Sequence, residues 1–185
     1  HLCGQLFLGG VFVKTAQQYI DSLRQRKIKV YLKGQLLDPQ TLVDHPFIRG
    51  HVASAALTFE LAHEPESEDL MTAISHLSGN RINRFTHIHQ SVEDLLKKVK
   101  MLRMISQKTG TCYQRCVGFD ALNSLYTVTF EMDQALKTDY HQRFKKFLAY
   151  VQENDLMVAA ANLKSVNLVR SEEHTSELQS HSYLV

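Results

Sequence analysis

SVEDLLKKVKMLRMISQKTGTCYQRCVGFDALNSLYTVTF, residues 91–130, is the stretch whose reading decides the fold. Ser91, with Asp94 three residues on, has the form of a helix start, where a side-chain oxygen accepts backbone N–H groups that lack an intrahelical partner. Val92, Leu95, Leu96, Val99 and Leu102 then recur at the spacing of one helical face. Lys108-Thr109-Gly110 ends the run, because glycine takes the left-handed backbone that closes a helix at no steric cost. Thr111 reads as the cap of a second helix, on which Cys112, Cys116, Phe119, Leu122, Tyr126 and Phe130 share a face. Two consecutive amphipathic helices point to a mainly α architecture.

The flanking sequence extends that pattern. Thr15 and Gln18 have capping-box spacing, and Ala16, Tyr19, Ile20 and Leu23 follow one helical stripe. Ile28, Val30 and Leu32 alternate with polar neighbours, and Lys33-Gly34 can turn the chain into Gln35-Leu36-Leu37, a small hairpin. Asp38-Pro39 and His45-Pro46 mark a loop, since the residue before proline is pushed out of the helical region. Beyond Gly50, Val52, Ala55, Ala56, Phe59 and Ala62 keep helical spacing until Glu64-Pro65. A second hairpin is expected within residues 71–89 around Ser78-Gly79-Asn80. A last helix is expected over residues 139–152, with Tyr140, Phe144, Phe147, Leu148 and Val151 inward.

Composition bounds the function classes. The chain has 185 residues, 44% hydrophobic and 22% charged, so one soluble domain with a real core is expected rather than disorder or a membrane bundle. The net charge of +2, with basic and acidic residues interleaved, gives no case for nucleic acid. The basic run Lys97, Lys98, Lys100 and Arg103 reads as a solvated helix face. No apolar run approaches the roughly 18 residues that span a bilayer. Residues 6–13 are apolar but lack a basic leader and a small-residue cleavage site, so a cytoplasmic protein is expected. Three cysteines in that setting favour reduced thiols over a disulfide framework.

Cys112 and Cys116 are the chemistry-bearing pair. On a helix, side chains four residues apart lie on one face with Cβ atoms about 5–6 Å apart. Soft thiolates select iron–sulfur clusters, zinc or Cu(I), but such sites take about four ligands and this spacing supplies two. The competing reading is two small buried hydrophobes on an amphipathic helix. His87, His89 and Cys3 stand at no metal-site spacing to one another.

Five stretches carry a resemblance: TAQQYIDSL (15–23), VDHPFIRG (43–50), INRFTHIHQSVEDLLKKVKM (82–101), QKTGTCYQRCVGFDALN (107–123) and QENDL (152–156). Together they resemble the N-terminal region of the 4-hydroxybutyryl-CoA dehydratase branch of the 4-hydroxyphenylacetate 3-hydroxylase flavoprotein family. The resemblance implies the N-terminal helical domain of an acyl-CoA-dehydrogenase-like flavoprotein, mainly α with one or two small β-hairpins. It implies FAD and a [4Fe-4S] cluster as cofactors of the full-length enzyme, with Cys112 and Cys116 as cluster ligands. The remaining ligands, a histidine and a cysteine, would come from a middle domain outside this chain. The implied reaction takes water from 4-hydroxybutyryl-CoA to give crotonyl-CoA, with vinylacetyl-CoA isomerase activity. Flavin radical chemistry would act on an unactivated C–H bond, and cluster iron would serve as Lewis acid for the departing hydroxyl.

The resemblance also implies an acyl-CoA substrate and a homotetramer of complete chains. Flavin contacts and most catalytic residues would lie beyond Ala160. The aromatic hydroxylase branch, which uses reduced flavin, does not carry the cysteine pair and stands as the alternative reading. A free-standing helical interaction module is a third. The expected division is a leader outside the family pattern at 1–13, the family's helical domain at 14–160, the start of a truncated middle domain at 161–169 and a non-native tail at 170–185. The tail contains RSEEHTSELQSH (170–181), which resembles the in-frame translation of a sequencing-library adapter. A chain truncated in this way is expected to be inactive alone and to leave apolar helix faces bare.

Overall fold

Thr15 starts the first helix as its spacing predicts. Its Oγ1 accepts from the Gln18 backbone N–H at 3.3 Å, and the Gln18 side chain accepts from the Thr15 N–H at 2.8 Å. The computed structural model describes residues 13–38 and 41–158, so residues 1–13 of the expected leader, except Val13, and everything from residue 159 lie outside the described part. Helix α1 (Ala16–Arg24) buries Tyr19, whose ring stacks on Phe59 at 4.6 Å. The hairpin of β1 (Tyr31–Leu32) and β2 (Gln35–Leu36) turns at Lys33 and Gly34, with φ of 51° and 81°. Two successive left-handed residues match the right-handed strand twist, which is why Lys-Gly works here.

Helix α2 (Arg49–Glu60) packs Ala55, Ala56 and Phe59 against α1. A short α3 (Glu68–Met71) leads into the antiparallel pair β3 (Thr72–Ile74) and β4 (Arg81–Asn83), with Ala73 opposite Ile82. A 3₁₀ turn, Arg84–Thr86, carries the chain to α4 (Val92–Thr109), α5 (Cys116–Leu136) and α6 (Tyr140–Glu153). Asp133 near the end of α5 accepts from the N–H groups of Tyr140 and His141 at 2.9 and 3.0 Å, so α5 itself caps α6. One core forms from Leu61, Met71, Phe85, Met101, Ile105 and Phe119, and another from Ile88, Leu122, Phe144, Leu148 and Val151. No helix among the described residues is long and apolar enough to cross a membrane.

Helix α4 corrects its expected orientation. Val92, Leu95, Leu96 and Val99 point outward, at 73, 47, 56 and 60% exposed, while Met101 and Ile105 enter the core and Leu102 packs at its edge. The first half of α4 is held by polar contacts instead. Lys97 donates to Asp69 at 2.8 Å, and Lys98 pairs with Asp120 while lying over the Phe119 ring. These two lysines are therefore tethers, whereas Lys100 and Arg103 are exposed as expected of a solvated face. In α5, Phe119 and Leu122 are buried but Phe130 is outward. In α6, Phe144, Leu148 and Val151 are inward, but Tyr140 and Phe147 are not.

Two buried arginines fix the interior. Arg84 donates to the carbonyls of Leu70, Asp69 and Thr72 at 2.7, 3.1 and 2.6 Å and to Asp94 at 3.3 Å, joining the α3–β3 corner to the start of α4. His87 Nε2 also lies 3.3 Å from Asp94. Burial pushes the Asp94 carboxyl up, but the Gln90 backbone N–H, His87 and the Arg84 guanidinium outweigh it and hold the group at about 2. Arg115 and Asp155, both 2% exposed, form the other pair at 3.6 Å. The Arg115 guanidinium is sandwiched between Phe59 and Phe85, 4.3 and 4.6 Å from their centroids, and Nη1 donates to Thr58 at 3.2 Å. Asp155 in turn accepts from the Lys14 backbone N–H at 2.9 Å.

Both clusters give stability predictions. Arg115→Met leaves Asp155 buried without its countercharge and should cost about 3–5 kcal/mol in chemical denaturation, whereas the double variant Arg115→Met/Asp155→Leu should recover most of that loss. For Asp94, a carboxyl held below its ordinary value of 3.8 stabilises the fold above about pH 4 and loses that contribution as pH falls toward 2. Asp94→Asn should thus lower stability at neutral pH by about 2 kcal/mol and make the acid limb between pH 4 and 2 shallower. Urea unfolding curves across that range test it, and an unchanged acid limb would sink the assignment.

Candidate metal centre

Gly110, at φ 61°, ends α4, and the Thr109 hydroxyl donates to the carbonyls of Ile105 and Thr111 at 2.9 and 2.8 Å. Residues 111–115 are then irregular and α5 begins only at Cys116. This corrects the expectation that both cysteines ride one helix: Cys112 lies in the connecting loop and Cys116 is the first helical residue. Thr111 does not cap α5, because Arg115 is the residue that precedes it. The physical reason is a conflict of periods. Tyr113 and Arg115 are both drawn inward, at 7 and 2% exposed, and a two-residue inward repeat belongs to extended chain, not to a helix. Gln114 between them takes φ 64°, a left-handed conformation that a non-glycine side chain adopts only when its surroundings force it.

The loop is fastened on both sides. The Cys112 carbonyl accepts from Ser54 Oγ on α2 at 3.1 Å and from the Gln114 side-chain amide at 3.3 Å. That amide also lies 3.2 Å from His51 Nδ1. Cys112 is exposed and Cys116 is half-buried against the cluster that holds Tyr113 and Phe119; both are free thiols. Burial pushes the Cys116 thiol up, and the adjacent Cys112 adds to this through charge and hydrogen bonding. Burial, followed by the charges of Cys116 and Cys112, pushes the Tyr113 phenol up to about 12. The segment beyond α6 also reaches this region. A Cβ on Gly118 would stand 1.9 Å from the Val158 carbonyl oxygen, so only glycine allows residues 156–158 to cross the first turn of α5.

The other residues named from the sequence do not join the thiols. His87 is buried at Asp94, and His89 packs its ring on Phe119 at 5.1 Å. Cys3 lies outside the described residues. Among the described residues no three His, Cys, Asp or Glu side chains converge to hold a metal ion. A groove of about 690 Å³ lies between the β3–β4 hairpin and the start of α4, but its charges are paired within the fold: Arg81 with Glu68 at 2.6 Å, Lys97 with Asp69, and Arg84 with Asp94. Ser54, Gln114, Arg115 and Asp155 shape the thiol site and were not singled out in the sequence. Their contacts span up to 141 residues, and local spacing carries no signal of them.

Comparison with known proteins places the chain in a family. The chain is 50% identical over 147 residues to the 4-hydroxybutyryl-CoA dehydratase/vinylacetyl-CoA-Δ-isomerase of Clostridium aminobutyricum, covering 80% of this chain and 30% of that protein. It is 23% identical over 152 residues to the oxygenase component of 4-hydroxyphenylacetate 3-monooxygenase from Thermus thermophilus. Among solved structures, an oxygen-tolerant archaeal 4-hydroxybutyryl-CoA dehydratase from N. maritimus superposes with a TM-score of 0.74 at 46% identity, covering 79% of this chain and 28% of that one. A 4-hydroxyphenylacetate 3-monooxygenase oxygenase component, 20% identical with a TM-score of 0.64 over 86% of this chain and 32% of its own, shares the fold. The chain thus spans about 30% of the length of the curated relatives it matches. The family described as 4-hydroxyphenylacetate 3-hydroxylase N terminal matches residues 15–184, a span that includes the adapter-like stretch. With its mainly α fold and two small hairpins, the chain belongs to the 4-hydroxyphenylacetate 3-hydroxylase N-terminal family.

Proposed function

We propose that this chain is the N-terminal part of a flavin- and [4Fe-4S]-dependent dehydratase that converts 4-hydroxybutyryl-CoA to crotonyl-CoA, with vinylacetyl-CoA isomerase activity. The observation that carries the reading is the free thiol pair at the start of α5, inside a chain half identical to a dehydratase of that name. The donor set fits one edge of a polynuclear cluster: two adjacent soft ligands with one open side and no third donor among the described residues. Cys112 and Cys116 would hold the cluster, with a histidine and a cysteine from the middle domain completing it. Bound cofactors would supply a Lewis-acidic iron for the departing hydroxyl and flavin one-electron chemistry at the C–H bond.

The chain's own residues set the conditions for that chemistry. Ser54 and Gln114 hold the Cys112 backbone, and the first turn of α5 holds Cys116. Tyr113, Phe85 and Phe119 belong to the buried cluster against which Cys116 packs. Because the Cys116 thiol is held protonated by burial, ligation must release a proton, and metal capture should weaken as pH falls. FAD is bound by a 4-hydroxyphenylacetate 3-monooxygenase oxygenase component of the same fold, which supports a flavin site completed beyond this chain. The bare faces of α4 and α5 offer surface to the rest of the protein and to a homotetramer, which we place in the cytoplasm.

Two outcomes test the reading. In the complete protein, Cys112→Ser and Cys116→Ser should each lower iron and sulfide content and dehydratase activity while sparing most flavin binding, and Cys3→Ser should leave iron unchanged. Equal cluster content in wild type and both serine variants would return the pair to packing and favour the aromatic hydroxylase. The 185-residue chain alone, reconstituted anaerobically with iron and sulfide, should form no crotonyl-CoA above a protein-free control.

A further inference from the structure

The residue spacing of the CYQRC segment suits a continuous helix, and the structure adopts a loop there instead. Thr111 to Phe130 carries helical spacing, so α5 could begin one turn earlier and take Cys112 onto its surface. That continuous helix would relieve Gln114 of its left-handed backbone. What opposes it is Arg115, whose guanidinium is clamped between Phe59 and Phe85, bonded to Thr58 and paired with Asp155. Asp155 is itself anchored to the Lys14 backbone and sits where the chain leaves α6, at φ 38°. Arg115, immediately before Cys116, thus anchors the segment that joins the two thiols.

We infer that Arg115 is a positioning residue: its buried guanidinium keeps residues 112–115 out of α5 and thereby sets the separation of the Cys112 and Cys116 thiols as one bidentate site. The inference rests on the proposed role of the pair as cluster ligands, and it assigns Arg115 no contact with cluster or substrate. It also explains why a buried ion pair is placed here. The Arg115–Asp155 link ties the thiol loop to the segment leaving α6, so the site forms only when both ends of the domain are in place.

Phenylarsine oxide tests this on the 185-residue chain in a Cys3→Ser background. The reagent condenses with two nearby thiols, forming two As–S bonds and releasing one water, while iodoacetamide alkylates each thiol separately. Arg115→Met/Asp155→Leu replaces the charged pair by apolar groups of similar bulk, and Arg115→Lys keeps the charge but not the planar fork. In both variants the phenylarsine oxide dissociation constant should change at least about tenfold, a shift of about 1.4 kcal/mol in either direction. Two thiols should still alkylate, with rates within about twofold of the parent, and the Gln114 13Cα shift should move from its left-handed toward its helical value. A variant that melts with the parent's cooperativity and keeps its phenylarsine oxide affinity overturns the inference. Should the double variant not fold, Arg115→Lys is read by the same criterion, and Thr58→Val, which removes one guanidinium partner, should give a smaller change in the same direction; unchanged affinity in both overturns it. If Cys112→Ser or Cys116→Ser leaves phenylarsine oxide affinity intact, the paired-thiol reading itself falls, which separates that failure from a failure confined to Arg115.

Discussion

A guanidinium held between two aromatic rings is the constraint on which the rest of this domain depends. Arg115 reaches α2 through Thr58 and Phe59, the turn after β4 through Phe85, and the end of α6 through Asp155. An ion pair taken out of water costs several kcal/mol in desolvation, so it persists only where geometry and hydrogen bonds offset that cost. Ring faces supply part of the compensation, because an arginine plane stacks on an aromatic face while its edge stays free for hydrogen bonds. An apolar residue of the same bulk would pack as well, yet it would not specify which loop conformation joins α4 to α5. The consequence sits on either side of it, in where Cys112 and Cys116 are.

The same logic separates the two ends of α4. Its second half enters the core through Met101 and Ile105, while its first half is fastened by the Arg84–Asp94 pair and by Lys97 and leaves Val92, Leu95, Leu96 and Val99 in the open. Four large aliphatic side chains on consecutive turns form a patch of the kind monomeric proteins usually cover. The curated relatives are about three times as long as the matched part, so the family's own architecture provides more chain than this domain can pack internally.

Much of the fold was legible in the sequence because it is written in local signals. The Thr15–Gln18 capping box, the Lys33-Gly34 turn, the Ser78-Gly79-Asn80 hairpin, and the Ser91 and Gly110 ends of α4 were all readable from two to four residues at a time. Which way a doubly apolar helix faces was not. Residues Val92, Leu95, Leu96 and Val99 make a better stripe than Met101 and Ile105, and periodicity alone ranks them first. The polar clamp of Arg84 and His87 on the turn after β4 with Asp94 on α4, together with the Lys97 and Lys98 tethers, turns that stripe outward. The thiol site was legible as a pair and not as a shape. Spacing by four suggested one helical face, whereas Tyr113 and Arg115 imposed a two-residue inward repeat whose partners lie far away in sequence.

That departure from the helix bears on what the pair can do. Two thiols on one rigid helical face keep a separation fixed by the helix, with both directions set by the same axis. A loop thiol beside a helix-start thiol has its direction set independently, by Ser54 and Gln114 on one side and by the first turn of α5 on the other. On the proposed reading, Cys112 and Cys116 would hold the cluster from this domain and leave the remaining ligation to another domain. Fixing the two thiols before the metal arrives removes ordering entropy from the binding step, the general advantage of a preorganised site. Because the Cys116 thiol is partly desolvated, its protonated form persists until a metal displaces the proton. On the proposed reading, half a cluster site built this way would couple metal binding to the docking of the remaining domain, and the buried Arg115–Asp155 link holds the segment that leaves α6 beside it.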